Sequence, residues 1–183
     1  SKRTAGVSLD LYDGLLMLQH RGQDAAGMVT YDGNHFHEKK NNGLVKDVFL
    51  QSDISELQGH TGLGHVRYPT AGSLCAKEAQ PFFVNAPFGI YLVHNGNLTN
   101  TEFLRERIQK QYRRHLRTNS DSEVLLNVFA DQFYKVFKQG DLSLPQDMAF
   151  AAAKLTMDRI RGAYSVITII DEVGLFAFRD PHG

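Results

Sequence analysis

Asn95 and Gly96, inside "LVHNGNLTN" (92–100), set a side-chain amide beside an unhindered backbone N–H. Two such donors can hold an oxyanion, the charge that gathers on a carbonyl oxygen under nucleophilic attack. After an apolar run the same pair is also the strongest short signal for a hairpin turn, and on spacing alone the turn is the simpler reading. Arg67 closes the apolar run of "GHVRYPTAG" (64–72). A guanidinium at a strand end faces the rim of a sheet, where its fork can grip a carboxylate through two parallel hydrogen bonds. By itself it reads first as a surface arginine paired with a neighbour. Asp121, in "TNSDSE" (118–123), has the charge to receive an ammonium, but at a helix start it or Ser120 reads first as an N-cap. A further polar patch, "QHRGQDAAGM" (19–28), carries Arg21.

Other reactive types carry less. His20, His65 and His94 stand in apolar or turn contexts that suit structural histidines, and no pair has metal-ligand spacing on a helix. Cys75, the single cysteine, has no adjacent helix start or basic cluster to lower its pKa, and reads as a bystander thiol. One cysteine excludes an internal disulfide framework and suggests a reducing, cytoplasmic compartment. Lys+Arg and Asp+Glu both number 20, so no net charge steers the chain to nucleic acid or an anionic membrane. The basic run from Arg105 to Arg117 could meet phosphates, yet its sparse aromatics favour a solvated helix face. No apolar stretch approaches the ~20 residues of a membrane span.

These residues need elements to hold them. Helical spacing predicts a helix from Ser8 to His20, stopped by Gly22. Two strands follow around Asp32–Gly33, another lies near 62–68, and "FGIYLVHN" (88–95) is a strand ending at the Asn-Gly pair. Helices are expected over 101–116, 121–137 and from Pro145 to Gly162, then two strands joined by a turn at 172–174. Strand pairs at both ends with helices between argue an α+β domain, its antiparallel sheets covered by helices and plausibly packed face to face. At 183 residues one well-buried domain is expected.

Taken together and in order, "LQHRGQDAAGM", "GHVRYPTAG", "EAQPF", "HNGNLTN" and "SDSE" closely resemble the glutaminase domain of the amidophosphoribosyltransferase family. That domain is a class II glutamine amidotransferase of the N-terminal-nucleophile hydrolase fold. The resemblance runs from about Leu11 to Gly183; the sister glucosamine-6-phosphate synthases share the plan but prefer other residues around "HRGQD" and "VRYPTAG". It implies a four-layer αββα fold, two antiparallel sheets between helical layers. It also implies that glutamine is hydrolysed and its ammonia passed to a second domain, where it displaces pyrophosphate from phosphoribosyl pyrophosphate. The product, 5-phosphoribosylamine, begins purine synthesis. Mapped onto this chain, Asn95 and Gly96 match the oxyanion hole, Arg67 the partner of the glutamine α-carboxylate, and Asp121 the receiver of its α-ammonium. Thr70 lines that pocket, and Arg21 lies in the loop packed near the nucleophile. The resemblance implies no cofactor for this domain, Mg2+ for the phosphoribosyltransferase domain, and a homo-oligomer.

One departure stands out. The family's nucleophile is a cysteine at the mature N-terminus, its own α-amine serving as base. Here Ser1 opens a polar "SKRTAGV" that offers no buried strand to hold it beside Asn95, and Cys75 has no free amine. The expectation is that the nucleophile strand lies upstream of Ser1 and the phosphoribosyltransferase domain beyond Gly183, so the 183 residues alone should not turn over glutamine. A non-catalytic glutamine-binding or regulatory remnant is the alternative from a different functional class, and a nucleic-acid binder using Arg105 to Arg117 is a third.

Overall fold

The computed structural model describes residues 6–68, 76–140 and 142–181. The chain divides into two compact units, Ser1–Pro81 and Phe82–Gly183.

In the first unit, helix α1 (Val7–Leu18) leads through a 3-10 turn, Gln19–Arg21, into strand β1 (Ala25–Tyr31). Strand β2 (Phe36–Asn42) returns antiparallel to it, and β3 (Thr61–Arg67) pairs on its other side, giving the order β2-β1-β3. Asp32 shapes the β1–β2 turn by accepting from the N–H groups of Asn34 and His35, both at 2.8 Å. That Asx-type bond is why the Asp-Gly pair reads correctly from sequence. Two short helices, α2 (Val45–Val48) and α3 (Gln51–Glu56), go beyond the expected elements. Their neighbours Phe49 and Leu57 join Leu15, Met28, Val45 and Val48 in the unit's apolar core.

The second unit carries β4 (Phe82–Val84), β5 (Ile90–Leu98), α4 (Thr101–Lys110), α5 (Asp121–Gln139), α6 (Pro145–Met157), β6 (Gly162–Ile170) and β7 (Gly174–Arg179). Its sheet is antiparallel throughout, in the order β4-β5-β6-β7. Leu92, Leu98, Val166 and Phe176 of the sheet pack with Leu125, Phe129 and Phe133 of α5 and Ala149 of α6. From Ser122 to Phe133 every residue of α5 is buried, so this helix is a core element and not an amphipathic cover. Both units thus match the expected class, antiparallel sheets with helices laid against them.

Three boundaries differ from the periodic reading. The strand at 90–98 runs straight through the Asn-Gly pair. Helix α4 ends at Lys110, not near Leu116: Arg113 turns left-handed (φ 55°) and the Arg114 N–H reaches back to the Ile108 carbonyl, a helix stop without its usual glycine. Helix α6 ends at Met157, after which Ile160 and Arg159 turn the chain into β6 through bonds to Thr156.

Candidate active site

Asn95 and Gly96 do not form a hairpin turn. They lie inside β5, opposite Ser165 and Tyr164 of β6, and pairing continues to Leu98 opposite Gly162. β4 reaches only Leu92, so from Val93 onward the second edge of β5 is free of it. Tyr164, the partner of Gly96, spends its own N–H and C=O on Asp180, which accepts at 3.1 Å and donates at 2.9 Å. Gly96 is therefore a non-hydrogen-bonded position of the β5–β6 ladder, and its N–H points out along the free edge. Burial along the strand agrees: residues 90–94 are buried, 95–97 exposed, and Leu98 buried again.

Glycine is required here by space. A Cβ on Gly96 would fall 2.1 Å from the Ala163 carbonyl oxygen and 2.8 Å from His94 Nε2, and φ is +154°. The strand can bring this N–H to the edge only without a side chain beneath it. Because side chains alternate along a strand, Asn95 projects to the face opposite His94.

Asp121 closes the same edge. Its Oδ2 accepts from the Leu98 N–H at 3.0 Å, two residues beyond Gly96 and on the same side of the strand. Asp121 is the first residue of α5, and the N-cap is Ser120, whose hydroxyl accepts from the Ser122 N–H at 3.2 Å. The capping role read for Asp121 thus belongs to its neighbour, and the aspartate is left to face β5. Ser122 Oγ stands 2.9 Å from His94 Nδ1 and 3.4 Å from Asp121 Oδ1. Burial pushes the His94 pKa below its ordinary value, with the Asp121 charge opposing, so the ring is neutral near pH 7.

Arg67 is no surface residue. It ends β3, is 8% exposed, and lies between two carboxylates of its own unit: Nη1 donates to Asp24 at 2.8 Å and Nη2 to Glu78 at 2.6 Å. Asp24 and Glu78 were not singled out by the sequence reading, yet they belong to the "HRGQD" and "EAQPF" motifs, which is the signal that could have found them. Gly27, three residues beyond Asp24, is bare because a Cβ there would fall 1.9 Å from the Gln80 carbonyl oxygen. Arg21 is exposed at the end of its 3-10 turn. Thr70, Cys75 and Ser1 lie outside the described residues. Among the described residues no group of three or more His, Cys, Asp or Glu is arranged to hold a metal, and no helix is long and apolar enough to cross a membrane.

Among the described residues, the second unit thus offers a strand edge with an outward glycine N–H, a neighbouring amide and a carboxylate two residues along. The first offers an arginine locked by acids. Comparison with known proteins gives the family. A glutamine amidotransferase domain family matches residues 65–183. The chain is 55% identical to the amidophosphoribosyltransferase of Pasteurella multocida and 53% identical to that of Escherichia coli, in each case over 97% of its length. It spans only about a third (35%) of those relatives. Among solved structures, the allosteric regulatory enzyme of purine biosynthesis superposes with a TM-score of 0.79 at 31% identity, covering 96% of this chain and 35% of that one. The glutamine phosphoribosylpyrophosphate amidotransferase of B. subtilis, complexed with ADP and GMP, gives 0.77 at 29% identity over 97% and 36%. With this family match over residues 65–183 and these likenesses over nearly the whole chain, the chain belongs to the glutamine amidotransferase domain family.

Proposed function

We propose that this chain is the glutaminase part of an amidophosphoribosyltransferase. Glutamine binds with its amide carbonyl at Asn95 and Gly96. A cysteine thiolate, its own α-amine acting as base, attacks the amide carbon; the oxygen takes up the charge and is met by the Asn95 amide and the Gly96 N–H. Collapse of the tetrahedral intermediate expels ammonia, and water releases glutamate from the thioester. Arg67 takes the substrate α-carboxylate, Thr70 contributes to the same recognition, Asp121 takes the α-ammonium, and Arg21 serves near the nucleophile. Ammonia then displaces pyrophosphate from phosphoribosyl pyrophosphate to give 5-phosphoribosylamine. On this reading Mg2+ serves that second transfer and not the residues described here, the protein assembles as a homo-oligomer, and it works in the cytoplasm.

The observation that carries the reading is the outward N–H of Gly96, set beside an exposed Asn95 and two residues from the backbone N–H that holds Asp121. A hairpin would have no use for that edge, whereas attack on an amide needs it. The test is glutamate release from glutamine by the native full-length protein, with its N-terminal residue sequenced, in the absence and presence of phosphoribosyl pyrophosphate. Glutamate release together with 5-phosphoribosylamine formation is expected. Tight glutamine binding with no glutamate released would overturn the enzymatic reading in favour of a glutamine-binding regulatory protein.

A further inference from the structure

On the glutaminase reading, the two ends of the substrate meet different elements: its carbonyl meets β5 and its ammonium the start of α5. Something must fix the spacing between them. His94 precedes the oxyanion donors by one residue and is 3% exposed. Its Nδ1 is 2.9 Å from Ser122 Oγ, which in turn lies 3.4 Å from Asp121 Oδ1. The other oxygen of Asp121 is held by the Leu98 N–H at 3.0 Å. Both oxygens of Asp121 are therefore tied to β5, one directly and one through Ser122 and His94. The opposite side of the ring fits against the bare face of Gly96, whose missing Cβ would stand 2.8 Å from Nε2.

We propose that His94 is a positioning residue: the chain His94–Ser122–Asp121 sets the distance between the oxyanion donors and the ammonium site, and so selects the length of the substrate side chain, favouring glutamine over asparagine. The inference rests on the glutaminase reading for what is bound, but the strut itself is a property of the fold. Its hydrogen bonds have one consistent polarity. The Nδ1–H of a neutral ring donates to Ser122 Oγ, and the Ser122 hydroxyl donates on to the Asp121 carboxylate. Gly96 and Leu98 are about 7 Å apart along the strand, a fixed ruler to which the strut attaches the movable carboxylate. Misplacing a reacting group by about 1 Å can cost on the order of 100-fold in rate, and one methylene is worth about 10- to 200-fold in discrimination. Side-chain length is the kind of difference such a ruler can read.

The test uses the native full-length protein with four variants: His94→Asn, His94→Gln, Ser122→Ala and the double variant Ser122→Ala/His94→Gln. Asparagine places its amide nitrogen near Nδ1 of the lost ring, whereas glutamine reaches toward Nε2. Ser122→Ala and His94→Gln are expected to lower kcat/KM for glutamine about tenfold or more, mainly through KM, and to narrow the glutamine-to-asparagine ratio. His94→Asn should retain most of both, and the double variant should be no worse than either of its parents. Equal performance of His94→Gln and His94→Asn, additive losses, or an unchanged ratio in Ser122→Ala would overturn the proposal. Amide hydrogen exchange at Leu98, whose N–H is bound by Asp121, is measured in parallel: it should quicken in Ser122→Ala and not in His94→Asn, and no change would remove the strut. Absence of glutamate release by the unaltered protein would instead sink the glutaminase reading and with it the substrate selection, leaving exchange to decide the strut.

Discussion

Arg67 has a buried carboxylate on either side, and this gives the residue a structural duty before any ligand arrives. Asp24 accepts from Nη1 and Glu78 from Nη2, so the planar guanidinium is held from both sides. Arg67→Ala is expected to leave two acids buried without their cation and to cost about 3–5 kcal/mol in urea unfolding, besides abolishing saturable glutamine binding. Asn95 is the opposite case. It is exposed, so Asn95→Ala should leave the unfolding curve in place while lowering kcat for glutamate release by about 100- to 1,000-fold, the loss typical of one oxyanion donor. A variant that unfolds early, or that keeps its kcat, would contradict that assignment. Asn95, Gly96, Arg67 and Asp121 stood out as candidates through the family resemblance, since taken singly they read as a turn, a surface arginine and a cap. What held them was not legible: Asp24 lies 43 residues from Arg67, and Ser122 lies 28 from His94. Side-chain contacts at such separations follow from where strands and helices end up, and no local pattern records them.

At the scale of elements, α5 was the clearest segment in the sequence, since a long apolar stripe behind a Ser-Asp start leaves little choice. Its entry was less visible. Glu123, buried in the first turn, accepts from the Arg117 N–H at 2.9 Å and from the Thr118 N–H and hydroxyl, both at 2.7 Å. It lashes the segment before the helix to the helix itself, and Asp121 sits between the two. Glu123→Ala should therefore destabilise the protein by about 2–3 kcal/mol, the worth of the charge-assisted bonds lost with this buried carboxylate. It should also raise the glutamine KM although Glu123 touches no substrate. A full-strength KM with the expected stability loss would show that the entry segment does not steer Asp121. The reading of 101–116 as one helix failed for a physical reason of the same kind. Arg113 adopts a left-handed conformation that sequence rules assign to glycine, and the bonds that support it come from the helix's own last carbonyls. The Asn-Gly pair failed as a turn because neighbouring strands override turn propensity: nine residues of β6, from Gly162 to Ile170, pair with β5 straight through it.

For the molecule as a whole, the same histidine that links β5 to α5 sets an acid limit on stability. Burial lowers the pKa of His94 in the folded protein, against the raising effect of Asp121 on α5, whereas in the unfolded chain it titrates near 6.5. Between the lowered folded value and 6.5 the unfolded state binds the extra proton and the folded state does not. The contribution of this group to stability is therefore complete above about pH 6.5, and it declines as pH falls through that value, by at most about 1.4 kcal/mol per pH unit, until the folded form also takes up its proton. His94→Asn removes the titration and keeps an amide nitrogen facing Ser122. Urea midpoints measured from pH 8 to pH 5 should then separate the two proteins in a defined way: a constant offset above pH 7, and below pH 6.5 a steeper loss for the unaltered protein. Parallel curves throughout would mean that His94 binds its proton equally well in the folded and unfolded chain, whereas a shallower loss for the unaltered protein would mean that the ring takes up charge in the fold, drawn to the Asp121 carboxylate 3.8 Å from Nδ1.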